Sequence, residues 1–215
     1  MKEDKKHTIQ ITKESLSKLE YISQNMENKT FHKHIHILYD IRTELGESPV
    51  IYLEIGSYAG GSISLISSHE YPTNCYSLDL GSPISPDVVE RNVTKFKNEK
   101  STFKYFQGNS QDGSIVNLIN SQIKEVDILF IDGDHSRTGV FNDFKNYSEL
   151  VKKGGYIAFD DYLDYQYSPE VRDAVDTIVS NLSNDEYDII GSLKYDLLKE
   201  FTEMESNNIF LIKKK

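Results

Sequence analysis

The sequence contains no tryptophan, one cysteine and five prolines in 215 residues. A single thiol, Cys75, excludes an internal disulfide and a thiolate metal site, and it suits a cytoplasmic address. No apolar run approaches the ~18 residues of a membrane span. The stretch from Met1 to Gln10 is charged and lacks the apolar core of a signal peptide. Basic residues are also in short supply, with 24 Lys+Arg against 34 Asp+Glu and a formal net charge of −10. Such a chain repels a phosphate backbone, which argues against nucleic acid held on a broad basic surface. A small molecule, a metal or a protein partner is the better expectation. Hydrophobic residues at 38% supply a core, so disorder along the whole chain is excluded.

Periodicity divides the chain in two. Residues 12–45 read as helical, with Leu16, Leu19 and Ile22, then Ile35, Leu38, Ile41 and Leu45, near helical spacing. Their apolar faces are candidates for pairing with a second subunit. Gly46, Ser48 and Pro49 end this region. Residues 1–48 are therefore predicted to form a helical extension and 49–215 a separate α/β domain. Strands are expected at Val50–Ile55, Cys75–Leu80, Phe103–Phe106, Val126–Ile131, Tyr156–Phe159, Tyr187–Ile190 and Ile209–Ile212. Helices are expected at Ser62–Ser68, Pro86–Lys97, Ser114–Ile123, Gly139–Leu150 and Pro169–Leu182. Gly154 and Gly155 are read as a break before the fifth strand. This alternation implies a Rossmann-like, seven-stranded, mostly parallel sheet covered by helices on both faces.

Parallel sheets of this kind place ligands at the carboxyl ends of their strands. The residues that follow each strand are polar, acidic or glycine. Leu53-Glu54-Ile55-Gly56-Ser57-Tyr58-Ala59-Gly60-Gly61-Ser62 follows the first, and glycines 56 and 60 allow a sharp turn and a close ligand approach. Tyr58 stands where a dinucleotide fingerprint would have its second glycine, so this is no pyrophosphate loop. Asp79 closes the second strand, where a carboxylate can accept both hydroxyls of a ribose. Read alone, the turn is an ordinary strand-to-helix connection and Asp79 a solvent-facing or capping acid.

Taken together, these residues resemble a class I S-adenosylmethionine-dependent methyltransferase over roughly residues 50–212. Glu54 to Gly60 is similar to the first motif of that family, and Asp79 to its ribose-binding acid. Gly108-Asn109-Ser110 is similar to the turn beside the adenine, with Asn109 where Asp is frequent. The resemblance implies cofactor contacts from Glu54, Gly56, Ser57, Tyr58, Gly60, Ser62, Asp79, Leu80, Asn109, Ser110 and Asp132. Leu80 and Ser110 would lie near the adenine.

Asp132-Gly133-Asp134-His135 and Asp160-Asp161-Tyr162 follow two adjacent strands. Asp132, Asp160 and Asp161 can thus converge, and three close carboxylates cannot all stay charged without a cation. Oxygen ligands favour Mg²⁺ or Ca²⁺ over zinc. The alternative is separate, solvated loop acids. The stretch resembles metal-dependent O-methyltransferases of sugars and natural products, and that resemblance implies Mg²⁺ on Asp132, Asp160 and Asp161. It also implies a base at His135, or at Asp134 as in some relatives. A histidine's ordinary pKa of ~6.5 suits such a role near neutrality. The expected reaction is methyl transfer to a hydroxyl of a small acceptor, a sugar or a glycosylated natural product. Two alternatives stand beside it: a metal-independent methyltransferase of the same fold, and a catalytically silent S-adenosylmethionine-binding protein.

Two features carry less. On an α-helix His32 and His36 would share a face, but without a third partner the triplet His32, His34, His36 reads as a solvated or partly buried helix surface. It could instead line the acceptor pocket. Tyr162, Asp164, Tyr165 and Tyr167 lie in segment 162–168, expected to be a mobile substrate loop.

Overall fold

The computed structural model describes residues 9–10, 12–29, 32–192 and 209–215. The chain opens with α1 (Lys13–Asn25), whose N-cap Thr12 accepts a hydrogen bond from the Ser15 amide. A short 3-10 turn, Lys33–His36, leads directly into α2 (Ile37–Glu44). Strands and helices then alternate: β1 (Val50–Ile55), α3 (Gly61–Ser67), β2 (Thr73–Asp79), α4 (Pro86–Phe96), β3 (Thr102–Gln107), α5 (Gly113–Gln122), β4 (Val126–Ile131) and α6 (Arg137–Tyr147). β5 (Val151–Phe159), α7 (Val171–Asn181), β6 (Tyr187–Ser192) and β7 (Phe210–Lys214) complete the fold.

The seven strands form one sheet in the order β3-β2-β1-β4-β5-β7-β6. All pairings from β3 to β5 are parallel, and β7 runs antiparallel to both β5 and β6. The strand order reverses between β1 and β4. This is the switch point at which a crevice opens outside the carboxyl edge.

One departure from the sequence reading lies in β5, which begins at Val151 rather than after the glycine pair. Gly154 takes a left-handed conformation (φ +82°) and the β4–β5 register shifts there, so the pair marks an irregularity within the strand instead of its start. The other departure is at the N-terminus. The two groups of apolar residues expected to be helical fall on α1 and on the 3-10 turn with α2, the turn giving part of the second group a non-α period.

Each face of the sheet is covered. One core joins Tyr52, Ile128, Phe130 and Tyr156 to α3, α4 and the N-terminal helices; the other joins Leu53, Leu129, Ile157 and Phe159 to α6 and α7. The apolar faces of α1 and α2, candidates for pairing with a second subunit, pack within the chain: Leu19, Ile22, Leu38 and Ile41 are buried in its own core. Arg42 fastens this layer. It is fully buried and donates to the carbonyls of Gly46, Ser48 and Pro72 and to Thr73 Oγ1. Cys75 lies in the core of β2, and burial pushes its thiol pKa up, as befits an inert packing residue. Among the described residues no helix is long and apolar enough to cross a membrane.

Candidate active site

The carboxyl edge is built by backbone bonds that carry the sheet ladder one residue beyond each strand. Gly56 N–H donates to Leu78 O (2.9 Å), Asp132 N–H to Ile55 O (2.8 Å), and Asp160 N–H to Ile131 O (3.0 Å). The residues expected to carry chemistry are thereby fixed side by side on a rigid frame.

A cavity of about 780 Å³ opens along this edge. Gly56, Ser57, Tyr58, Ser62, Asp79, Leu80, Asn109, Ser110, Asp132, Asp134, His135, Asp160 and Asp161 all line it. Glu54 and Gly60 do not. They shape the glycine turn from behind. Gly56 (φ +84°) passes so close to the next loop that a Cβ there would lie 2.0 Å from Asp132 O. Glycine is thus required twice over, by conformation and by proximity. Asp79 braces the same turn. Its Oδ2 accepts from the amides of Ser57 (2.8 Å) and Tyr58 (3.1 Å), and its Oδ1 accepts from Gly81 (2.7 Å). Glu54 is buried beside Tyr52, whose hydroxyl donates to Glu54 Oε2 at 2.5 Å. Burial raises the Glu54 pKa to about 8 against the pull of the Tyr52 and Ser62 hydroxyls, with Asp79 and Asp160 adding to the rise.

The acids after β4 and β5 form a linked group. Burial, then the charges of Asp160 and Asp161, push the Asp132 carboxyl well above the usual range. Asp160 is more deeply buried than the partly exposed Asp132, but His34 beside it outweighs that penalty and holds it low. Asp161 takes a left-handed conformation (φ +56°) and accepts from Ser168 Oγ at 2.8 Å. His135 spans the group: Nε2 is 3.1 Å from Asp132 Oδ1, and Nδ1 is 2.8 Å from Ser168 Oγ and 3.3 Å from Asp161 Oδ2. Asp134 also lines the cavity, but both its carboxylate oxygens are engaged. It accepts from the Ser136 amide (2.9 Å) and from Gln111 Nε2 (3.1 Å), and these bonds hold its pKa below the ordinary value.

The histidine triplet differs from its sequence reading. The 3-10 turn replaces the α-helical period, His34 and His36 are buried, and only His32 is exposed. His34 Nε2 stands 2.8 Å from Asp160 Oδ1. Its ligating nitrogen and one oxygen each of Asp160 and Asp161 lie within 4.8 Å of one another. Asp132 adjoins this trio through its contacts with Asp160 and His135 rather than belonging to it. Sequence reasoning missed His34 and Ser168 as site residues. The His-x-His-x-His pattern marked the first but the assumed period misdirected it, and no motif marks Ser168. In segment 162–168, Tyr162 is buried and its hydroxyl donates to Asp176 (2.7 Å), so it fastens the loop to the body. Asp164 and Tyr167 line the cavity beside His32 and Ile35.

The donors suit two ligands. The cavity beside the glycine turn, with Gly56, Ser57 and Asp79 on its rim, fits a nucleoside-bearing cofactor. Asp160 Oδ1 and His34 Nε2 are buried and face one another at 2.8 Å without a hydrogen bond of acceptable direction, and with Asp161 they form a group that could hold a cation.

The family profile described as "Methyltransferase domain" matches residues 53–162. An uncharacterized protein of Acanthamoeba polyphaga mimivirus is 38% identical over 171 residues, 79% of this chain and 77% of its own length. Among solved structures, an O-methyltransferase from Bacillus cereus in complex with SAH, the demethylated cofactor, superposes with a TM-score of 0.63 at 14% identity, covering 95% of this chain and 91% of that one. MycE, a methyltransferase of the mycinamycin biosynthetic pathway in complex with Mg and SAH, gives 0.60 at 18% identity, covering 93% of this chain and 54% of that one. An rRNA methylase from Streptococcus thermophilus gives 0.60 at 13% identity, covering 84% and 96%. A profile match over half the chain, on a fold shared with structures that hold SAH, places this protein in the class I S-adenosylmethionine-dependent methyltransferases.

Proposed function

We propose that this protein is a metal-assisted O-methyltransferase acting on a hydroxyl of a small acceptor such as a sugar or a glycosylated natural product. The observation that carries this reading is His135, suspended at the cavity wall between Asp132 and the Ser168–Asp161 pair. Ser168 donates its one hydroxyl proton to Asp161, so it accepts from His135 Nδ1–H. That assigns the lone pair to Nε2, the nitrogen beside Asp132. Nε2 lies 3.1 Å from Asp132 Oδ1 at the cavity wall. An imidazole held in one tautomer with its basic nitrogen toward the acceptor is what proton abstraction from a hydroxyl requires.

Gly56, Ser57, Asp79, Leu80, Asn109 and Ser110 would hold S-adenosylmethionine, which supplies an electrophilic methyl group when bound. Asp160 and Asp161, with Asp132 adjoining, would hold a divalent cation, which lowers the pKa of a nearby hydroxyl. The chain's own contribution would be alignment: the rigid sheet edge would hold the acceptor beside the cofactor, which is proximity catalysis. Asp134 is a poor base, since two donors already satisfy its ionised form.

A small acceptor fits better than RNA. The cavity wall carries Asp132, Asp134, Asp160, Asp161 and Asp164 on a chain of net charge −10, a field that repels phosphate. The test is a calorimetric titration with SAH in Mg²⁺ buffer, followed by an acceptor panel with and without chelator. Binding at one site per chain and chelator-sensitive turnover are expected. Absence of SAH binding sinks the enzyme assignment, and turnover that survives chelation sinks the metal.

A further inference from the structure

His34 is supplied by the N-terminal extension, yet it reaches the acidic pair that follows β5. We infer that His34 Nε2 is a direct ligand of a divalent cation held with Asp160 and Asp161, making this a mixed nitrogen–oxygen site that prefers Mn²⁺ to Mg²⁺. The inference rests on the metal-assisted reading above and adds a ligand and a metal class to it.

Three observations carry it. First, His34 is only 4% exposed, and its Nε2 makes no hydrogen bond of acceptable direction. A buried polar nitrogen left so is costly unless something completes it. Second, Asp160 Oδ1 is in the same condition, although the two atoms are 2.8 Å apart. Bonds of ~2.1 Å to one ion put neighbouring octahedral ligands roughly 3 Å apart and opposite ones roughly 4.2 Å apart. The 2.8 Å separation is therefore that of adjacent ligands, and all three ligand atoms lie within 4.8 Å of one another, near enough to share one ion. Third, the donor set is one imidazole and two carboxylates. Mg²⁺ is a hard ion that favours oxygen, whereas an imidazole suits the first-row transition metals.

The consequence concerns the acceptor pocket. Ile35, next to His34, and His32, two residues before it, both line the cavity. A metal bond to His34 would clamp the 3-10 turn to the sheet edge, so cation binding and closure of that wall become one event.

The experiment is Mn²⁺ binding followed by electron spin resonance, with pulsed detection of ¹⁴N coupling, on the full chain. Wild type should bind one Mn²⁺ with the coupling of a directly bound imidazole. His34→Gln should lose that coupling and at least tenfold in Mn²⁺ affinity, and its preference for Mn²⁺ over Mg²⁺ should narrow. The nearest competing imidazole is His135, with Nδ1 3.3 Å from Asp161 Oδ2. The coupling should therefore persist in the double variant His32→Gln/His135→Gln, which keeps the inference testable if His34→Gln fails to fold. Bound Mn²⁺ without nitrogen coupling in wild type overturns the His34 ligand and leaves the metal reading standing. Loss of the coupling in the double variant does the same. No Mn²⁺ binding to wild type overturns both.

Discussion

Gly56→Ala tests the claim that the cofactor turn and the catalytic loop are one packed unit. The added Cβ would sit 2.0 Å from Asp132 O and 2.8 Å from Gly133 Cα, both backbone atoms that cannot rotate aside. Ordinary contact needs at least ~3.4 Å, so the loop after β4 must retreat by more than an ångström or the turn must open. The left-handed backbone adds its own cost of roughly 1–2 kcal/mol. Gly46 separates the two contributions. It is also left-handed (φ +77°), just after α2, but has nothing within 4 Å of its would-be Cβ. Gly46→Ala should therefore lose only the conformational ~1–2 kcal/mol in urea denaturation and keep SAH affinity. Gly56→Ala should lose about 1–3 kcal/mol more. Its SAH affinity should fall at least tenfold, and its turnover on the order of a hundredfold, because Asp132 and His135 move with the loop. Equal stability losses in the two variants, with SAH binding intact in both, would refute the packing argument.

Three further outcomes follow from the same geometry. His135→Ala should lose on the order of 10²–10⁴ in turnover while SAH titration stays near wild type, whereas Asp134→Asn should keep most of its activity; the reverse pattern would move the base to Asp134. Asp143 is fully buried with neither carboxylate oxygen hydrogen-bonded among the described residues, and burial raises its pKa to about 6. A raised carboxyl pKa is no burden below the unfolded value near ~4, and it costs stability increasingly as pH climbs through about 6. Asp143→Asn should therefore stabilise by up to about 3 kcal/mol at pH 8 and by almost nothing at pH 4, and equal melting shifts at both would contradict this. Arg42→Ala strands the Gly46 and Ser48 carbonyls, while Pro72 O keeps the Val50 amide, and should cost about 3–5 kcal/mol, with Arg42→Lys recovering only part; an unchanged unfolding midpoint would count against its role.

The amino-acid order alone determined the alternation of strands and helices and which residues meet at the sheet edge. Both are local consequences: a short, mostly apolar run such as Val126–Ile131 suits a strand buried on two faces, and in a parallel sheet the residue after each strand lands on one rim. That is why Gly56, Asp79, Asp132, His135 and Asp160 were legible as neighbours despite their separation in sequence. Tertiary structure decided the rest. Asp134 and His135 both line the cavity, and which of them is free to act depends on Gln111 engaging the aspartate and on Ser168 and Asp161 orienting the ring, partners far from them in sequence. The apolar stripes of α1 and α2 look the same in sequence whether they face a second subunit or their own sheet, and only packing chose the latter. His34 is the clearest case. Its sequence neighbours suggest a helix surface, but a 3-10 turn and burial against a distant loop bring its nitrogen to Asp160, because side-chain environment is set by what folds over a residue rather than by what adjoins it in the chain.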